Sequence, residues 1–242
     1  MRAVIGRLLP LVCLFTVALA MAGCGRQETA GLQPTGVAVT PSVAERIAAV
    51  RSGDSDRLVA DRPLTDDEWA SLRGLEGLRE LVIAQGVAND SRAEIFATLP
   101  RLERLVVRES PLTDQGFHVL AACTSLRDLN VPQAACTAEG IRALEALPHL
   151  RSLRLGGCTL AGSEVCAALV GLRGLRSLHL IDVPIGDEGL RILAGLSALG
   201  NLYLDGAGVS DEAWSEYFRR HPHVHVHVDQ AHHDRDPNRD RH

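Results

Sequence analysis

Apolar residues recur along this chain with one dominant period. Leu78, Leu102, Leu126, Leu150, Leu175 and Leu199 are separated by 24, 24, 24, 25 and 24 residues. Each opens an LxxLx(L/I/V) cell: Leu78-Leu81-Ile83, Leu102-Leu105-Val107, Leu126-Leu129-Val131, Leu150-Leu153-Leu155, Leu175-Leu178-Leu180 and Leu199-Leu202-Leu204. Another apolar position stands three residues ahead of every cell, at Leu75, Leu99, Cys123, Leu147, Leu172 and Leu196. The last two apolar residues of a cell lie two apart, the spacing that puts both side chains on one face of a strand. A turn follows, often with the phrase (L/I/V)-x-D-x-(G/A), as in Leu112 to Gly116, Ile185 to Gly189 and Val209 to Ala213, with Leu64 to Glu68 a diverged copy. The Asp of that phrase suits the N-cap of a following helix, where a carboxylate accepts orphan N–H groups. Leu190, Leu193 and Leu196 then share one helical face. No such unit can bury its apolar edge alone, so successive units must stack.

The cells and turns resemble those of leucine-rich-repeat proteins with units of about 24 residues and a TDxGL-type turn, known from large bacterial repeat families. The resemblance runs from about Asp54 to Val228. It implies an α/β solenoid, a curved right-handed coil with a parallel sheet on the concave face and helices outside. The asparagine-ladder turn of that family is filled here by Gln85, Glu109, Gln133, Gly157, Asp182 and Gly206, a departure that bears on curvature. The two ends have the character of caps. Ser42 to Val50 has helical character, and in His221 to Val228 the alternation sends Val224, Val226 and Val228 to the core and His223, His225 and His227 to solvent. The repeat domain is therefore expected at 42–228, followed by a disordered tail rich in His, Asp and Arg at 229–242.

The first 24 residues do not fit the repeat. Arg2 and Arg7 give a positive start, Leu8 to Ala22 is apolar, and Ala22-Gly23 supplies small residues for cleavage. That apolar run is about 15 residues, short of the ~20 needed to cross a bilayer. It reads as a signal peptide over 1–23. Met21-Ala22-Gly23-Cys24 resembles a bacterial lipobox, which implies acylation of Cys24 and stable anchoring through more than one acyl chain. Residues 24–41 then form a flexible tether. Gly25 in place of Asp favours the outer membrane by the sorting rule of double-membraned bacteria. The expected location is the cell envelope, on the periplasmic side or the cell surface.

Composition adds limits. An aromatic content of 3% means that the core is built from Leu, Val, Ile and Ala. All 25 basic residues are Arg, and the formal net charge is -5, which argues against nucleic-acid binding. Nothing matches a Walker loop, a GxGxxG after a strand, HExxH or GxSxG, so neither an enzyme nor a cofactor is expected.

Alternation defines three columns on the open face of the sheet. The first holds Glu80, Arg104, Asp128, Ser152, Ser177 and Asn201; the second Val82, Val106, Asn130, Arg154, His179 and Tyr203; the third Ala84, Arg108, Pro132, Gly156, Ile181 and Asp205. Mixed apolar and polar columns suit a protein-binding face, and Arg104, Arg108, Arg154, His179 and Tyr203 are the candidate contacts. The reading is a monomeric, non-enzymatic, envelope-anchored scaffold for an unknown protein partner. The alternative is a metal-binding lipoprotein. Seven of the ten His lie between His221 and His242, and His223, His225 and His227 on a strand could serve as ligands. Cys123 and Cys136 replace core aliphatics, and a Cys136–Cys158 disulfide is conceivable in an oxidising envelope.

Overall fold

The computed structural model describes residues 40–156 and 162–238. The expected signal peptide, Cys24 and most of the tether lie outside them, as does Cys158. Strand and helix alternate throughout. A capping helix α1 (Val43–Ser52) leads into β1 (Arg57–Ala60), α2 (Asp66–Leu72), β2 (Glu80–Ile83), α3 (Asp90–Phe96), β3 (Arg104–Val107), α4 (Asp114–Leu120), β4 (Asp128–Val131) and α5 (Ala138–Ala143). Then come β5 (Ser152–Gly156), α6 (Gly162–Leu169), β6 (Ser177–Ile181), α7 (Gly186–Leu193), β7 (Asn201–Asp205), α8 (Asp211–Arg220), β8 (His225–Val228) and β9 (Ala231–His232). The strands form one sheet in chain order, parallel from β1 to β8, with β9 returning antiparallel.

The register follows the repeat. Leu81, Leu105, Leu129, Leu153, Leu178 and Leu202 pair in succession, as do Ile83 with Val107 and then Leu155 with Leu180 and Leu204. All of these are buried in one continuous core. Every cell therefore gives two inward residues to a shared apolar seam, and each of them adds ~1.5–3 kcal/mol of transfer free energy before the entropic cost of ordering. The strand alternation expected from the cells is what the structure shows.

The turn phrase works differently from the sequence expectation. Asp114 is the first helical residue of α4, and the N-cap is Thr113. Likewise Thr137 caps α5, Thr65 caps α2 and Ser210 caps α8. The carboxylate reaches instead into the next unit: Asp90 accepts from Thr113 N (2.9 Å) and Oγ1 (2.5 Å), Asp114 from Thr137 N (2.6 Å) and Oγ1 (2.7 Å), Asp187 from Ser210 N (2.7 Å) and Oγ (2.8 Å). The short hydroxyl fits the cap because it can reach its own helix N–H groups, which leaves the longer carboxylate free to staple coils together.

The C-terminal end also differs from expectation. The segment read as a disordered tail is structured through residue 238. β9 pairs His232 with His227 and Ala231 with Val228. Beyond it Asp236 is buried and accepts from Val226 N at 2.9 Å and Asn238 N at 2.7 Å. Asn238 donates from Nδ2 to Pro222 O at 2.8 Å. This return covers β8, so His225 is buried and His227 half-buried rather than solvated, while Val224 and Val226 take the core positions expected of them. Trp214 and Phe218 of α8 close the core beneath and pack against the His233 ring, at centroid distances of 4.9 and 5.1 Å.

Candidate functional site

The pairing register builds the open face that alternation describes. Arg104 pairs with Asp128, Asn130 with Arg154, Arg154 with His179, His179 with Tyr203, and Tyr203 with His227 of the cap. Strand spacing of ~4.8 Å makes the second column a continuous strip. Arg104, Asp128, Ser152, Arg154, His179 and Tyr203 surround one shallow depression. Arg108, Glu109, Pro132 and Arg154 surround the adjoining one, and Asn130 belongs to both. All five sequence-derived contact candidates thus border two neighbouring hollows that share Arg154.

Their environments are unequal. Glu80 lies between Arg57 and Arg104, with Nε–Oε distances of 3.1 and 3.4 Å, so Arg104 is exposed but already ion-paired. His179 holds Asp205 through Nε2 and Oδ2 at 2.9 Å, with only 19% and 14% of the side chains exposed. The same carboxylate accepts Gln230 N at 3.1 Å through Oδ1, which ties the strip to the C-terminal return. The Tyr203 ring stands between His179 and His227, at 5.3 and 4.9 Å between centroids, within the range where aromatic faces and edges attract. Arg108 and Arg154 are exposed and carry no ion pair among the described residues. Asn130 Oδ1 is buried without a hydrogen-bond partner, so the floor between the hollows contains an unsatisfied acceptor. Val106 of the same column lines the first hollow but is buried and offers little contact surface.

Of the three histidines expected to form a metal set, the structure brings two together and leaves one out. His225, His227 and His232 each offer a ring nitrogen, all within 4.8 Å of one another. His223 precedes β8, is exposed, and has His221 as its ring neighbour, 6.2 Å away. Its place is taken by His232 from the return strand, which hydropathy alone assigns to a tail. Periodicity places Asp205 on the open face but does not give its role or that of Asp236, which orient His179 and His225, because those roles depend on contacts 26 and 11 residues away in sequence. The cysteines among the described residues behave as core residues. Cys123, Cys136 and Cys166 are buried, and burial pushes the thiols of Cys123 and Cys166 up to about 12.

No protein-family model matches the chain, and no curated protein matches it in sequence. Among solved structures it resembles internalin C2 from Listeria monocytogenes, with a TM-score of 0.54 over 80% of this chain and 79% of that one, at 20% identity. At that identity the likeness concerns the fold. The fold is an α/β leucine-rich-repeat solenoid with a parallel sheet and a helix on each connection from β1 to β8.

Proposed function

We propose that this chain is a non-enzymatic scaffold that binds a protein partner on the open face of its sheet and is held at the cell envelope through acylated Cys24. The observation that carries the binding reading is the grouping of Arg104, Arg108, Arg154, His179 and Tyr203 around two hollows that meet at Arg154. Tyr supplies contact area at low entropic cost, and Arg adds stacking and planar bidentate hydrogen bonding, as interface centres require. Arg108 and Arg154, without ion-pair partners among the described residues, suit carboxylates presented by that partner. His179 is a positioned wall of the site, fixed by Asp205, rather than a mobile contact. The lipobox-like Met21 to Cys24 and the apolar run before it support location at a membrane, and a monomer suffices because the face is complete within one chain.

The test compares three forms of the full chain for partner capture, using a crosslinker that does not need lysine. Arg154→Glu combined with Tyr203→Ala is expected to abolish capture while thermal unfolding stays nearly unchanged. Arg142→Ala with Arg191→Ala, on α5 and α7, is expected to capture like the parent. The opposite result, with loss only on the helix side, would move the binding surface to the helices and refute the assignment.

A further inference from the structure

The C-terminal cap contains a cluster whose chemistry is separate from the partner-binding reading. His225 and His227 are two apart on β8, so their side chains leave the same face of the strand. His232 lies directly opposite His227 in the antiparallel β8–β9 pair, where facing side chains are close neighbours. The rings accordingly converge, with centroid distances of 4.8 Å for His225 and His227, 5.0 Å for His225 and His232, and 4.2 Å for His227 and His232. Nε2 of His225 and Nε2 of His227 are 2.9 Å apart.

The orientation of one ring is set from behind. His225 Nδ1 lies 2.8 Å from Oδ2 of Asp236, whose side chain is fully buried and held by the Val226 and Asn238 N–H groups. A carboxylate can only accept, so the Nδ1 position carries the proton and the neutral ring turns its Nε2 lone pair toward His227 and His232. A buried carboxylate orienting a histidine in this way is the usual support behind a metal-ligating imidazole. Nitrogens around a tetrahedral ion, each ~2.0–2.1 Å from it, stand about 3.3 Å from one another. The observed spread, from 2.9 Å to no more than 4.8 Å, brackets that value.

We propose that His225, His227 and His232 form a three-histidine site for a divalent cation of the zinc class, with Asp236 positioning His225. Imidazole donors select late first-row cations over magnesium or calcium, which favour oxygen. His233 is excluded from the set because its ring is packed between Trp214 and Phe218. The cation would join β8 to β9 and so close the end of the solenoid beside Tyr203.

Zinc titration of the metal-free full chain by calorimetry against a competing chelator tests this. The parent is expected to take one tightly held Zn2+, and His232→Gln to weaken it by at least tenfold. His223→Gln is expected to bind as the parent does, since that ring lies outside the cluster. His232 is exposed on a two-residue edge strand, and the metal-free His232→Gln form is expected to unfold at the parental temperature. Co2+ in place of zinc is expected to give the intense visible bands of tetrahedral coordination in the parent and not in His232→Gln. No stoichiometric Zn2+ in the parent would overturn the site. So would equal weakening by His223→Gln and His232→Gln, the mark of chelation by a string of histidines.

Discussion

Gly140 donates its backbone N–H to the carboxylate of Asp114, 26 residues earlier, at 3.0 Å. The same carboxylate already holds both N and Oγ1 of Thr137. A Cβ on Gly140 would stand 2.5 Å from Asp114 Oδ1 and 3.1 Å from Asp114 Cα. Gly116 meets Asp90 Oδ1 in the same way. The Asp114–Gly140 and Asp90–Gly116 pairs are therefore interlocks between units: the Asp of one coil fills the space that the Gly of the next leaves open. Where Ala213 stands in place of glycine, Asp187 accepts from Ser210 N and Oγ, and Ala213 sends its N–H to Ser210 Oγ at 3.3 Å.

Gly140→Ala is expected to destabilise the fold by about 1–3 kcal/mol through overpacking, despite the better helix propensity of Ala. Glu139→Ala, one residue away and exposed, is expected to change stability by no more than ~0.5 kcal/mol. Denaturant unfolding of both variants checks the contrast. A neutral or stabilising Gly140→Ala would mean that the Asp114 carboxylate has room to move aside.

The same interlock makes stability depend on acid. Burial alone would raise the Asp114 carboxyl, but the hydrogen bonds from Thr137 and Gly140 outweigh it and hold it below the ordinary 3.8. Asp187 is lowered by its bonds from Ser210, and Glu68 falls to about 2 beside Arg62. A lowered native pKa favours the folded chain at all pH above the unfolded value, and that contribution disappears as pH falls through the native value. Stability of the parent is expected to decline steeply from about pH 4 downward, and Asp187→Asn to be weaker at neutral pH with a shallower acid decline. Identical pH profiles for the two would show that Asp187 contributes nothing through its charge.

Periodicity revealed the strands because each cell repeats the same two inward residues, and the pairing of Leu153 with Leu178 or Arg154 with His179 follows once the period is known. It could not reveal the interlock. Thr113 and Asp114 are adjacent, both accept hydrogen bonds, and one unit taken alone does not show which of them reaches the next coil. The C-terminal return was hidden for a related reason. His232, Asp236 and Asn238 look like tail residues by hydropathy, yet Asp236 and Asn238 are buried because backbone donors and acceptors satisfy them. Polar groups buried this way leave no trace in an apolar pattern.

Acylation at Cys24 rests on the lipobox-like Met21 to Cys24 and the apolar run before it. The parent is expected to incorporate labelled palmitate and to sediment with membranes, and Cys24→Ala to do neither. A parent chain of full length without label would refute the lipid anchor while leaving the repeat fold untouched.

Residues one apart on a strand should respond in opposite ways to truncation. Leu153 and Arg154 are neighbours on β5, yet Leu153 is 1% exposed inside the seam and Arg154 is exposed on the open face. Leu178, paired with Leu153 on the next strand, is fully buried as well. Leu153→Ala or Leu178→Ala removes apolar contacts on both sides of a stacked unit and leaves a cavity that neighbouring coils cannot fill without shifting. Either is expected to cost about 2–5 kcal/mol. Arg154→Ala loses no ion pair among the described residues and little packing, so it is expected to fall within ~0.5 kcal/mol of the parent. Because each unit touches only its neighbours, the leucine losses should also broaden the denaturant transition as coils begin to separate. Equal losses at Leu153 and Arg154 would contradict the inward–outward alternation on which both the core and the binding face depend.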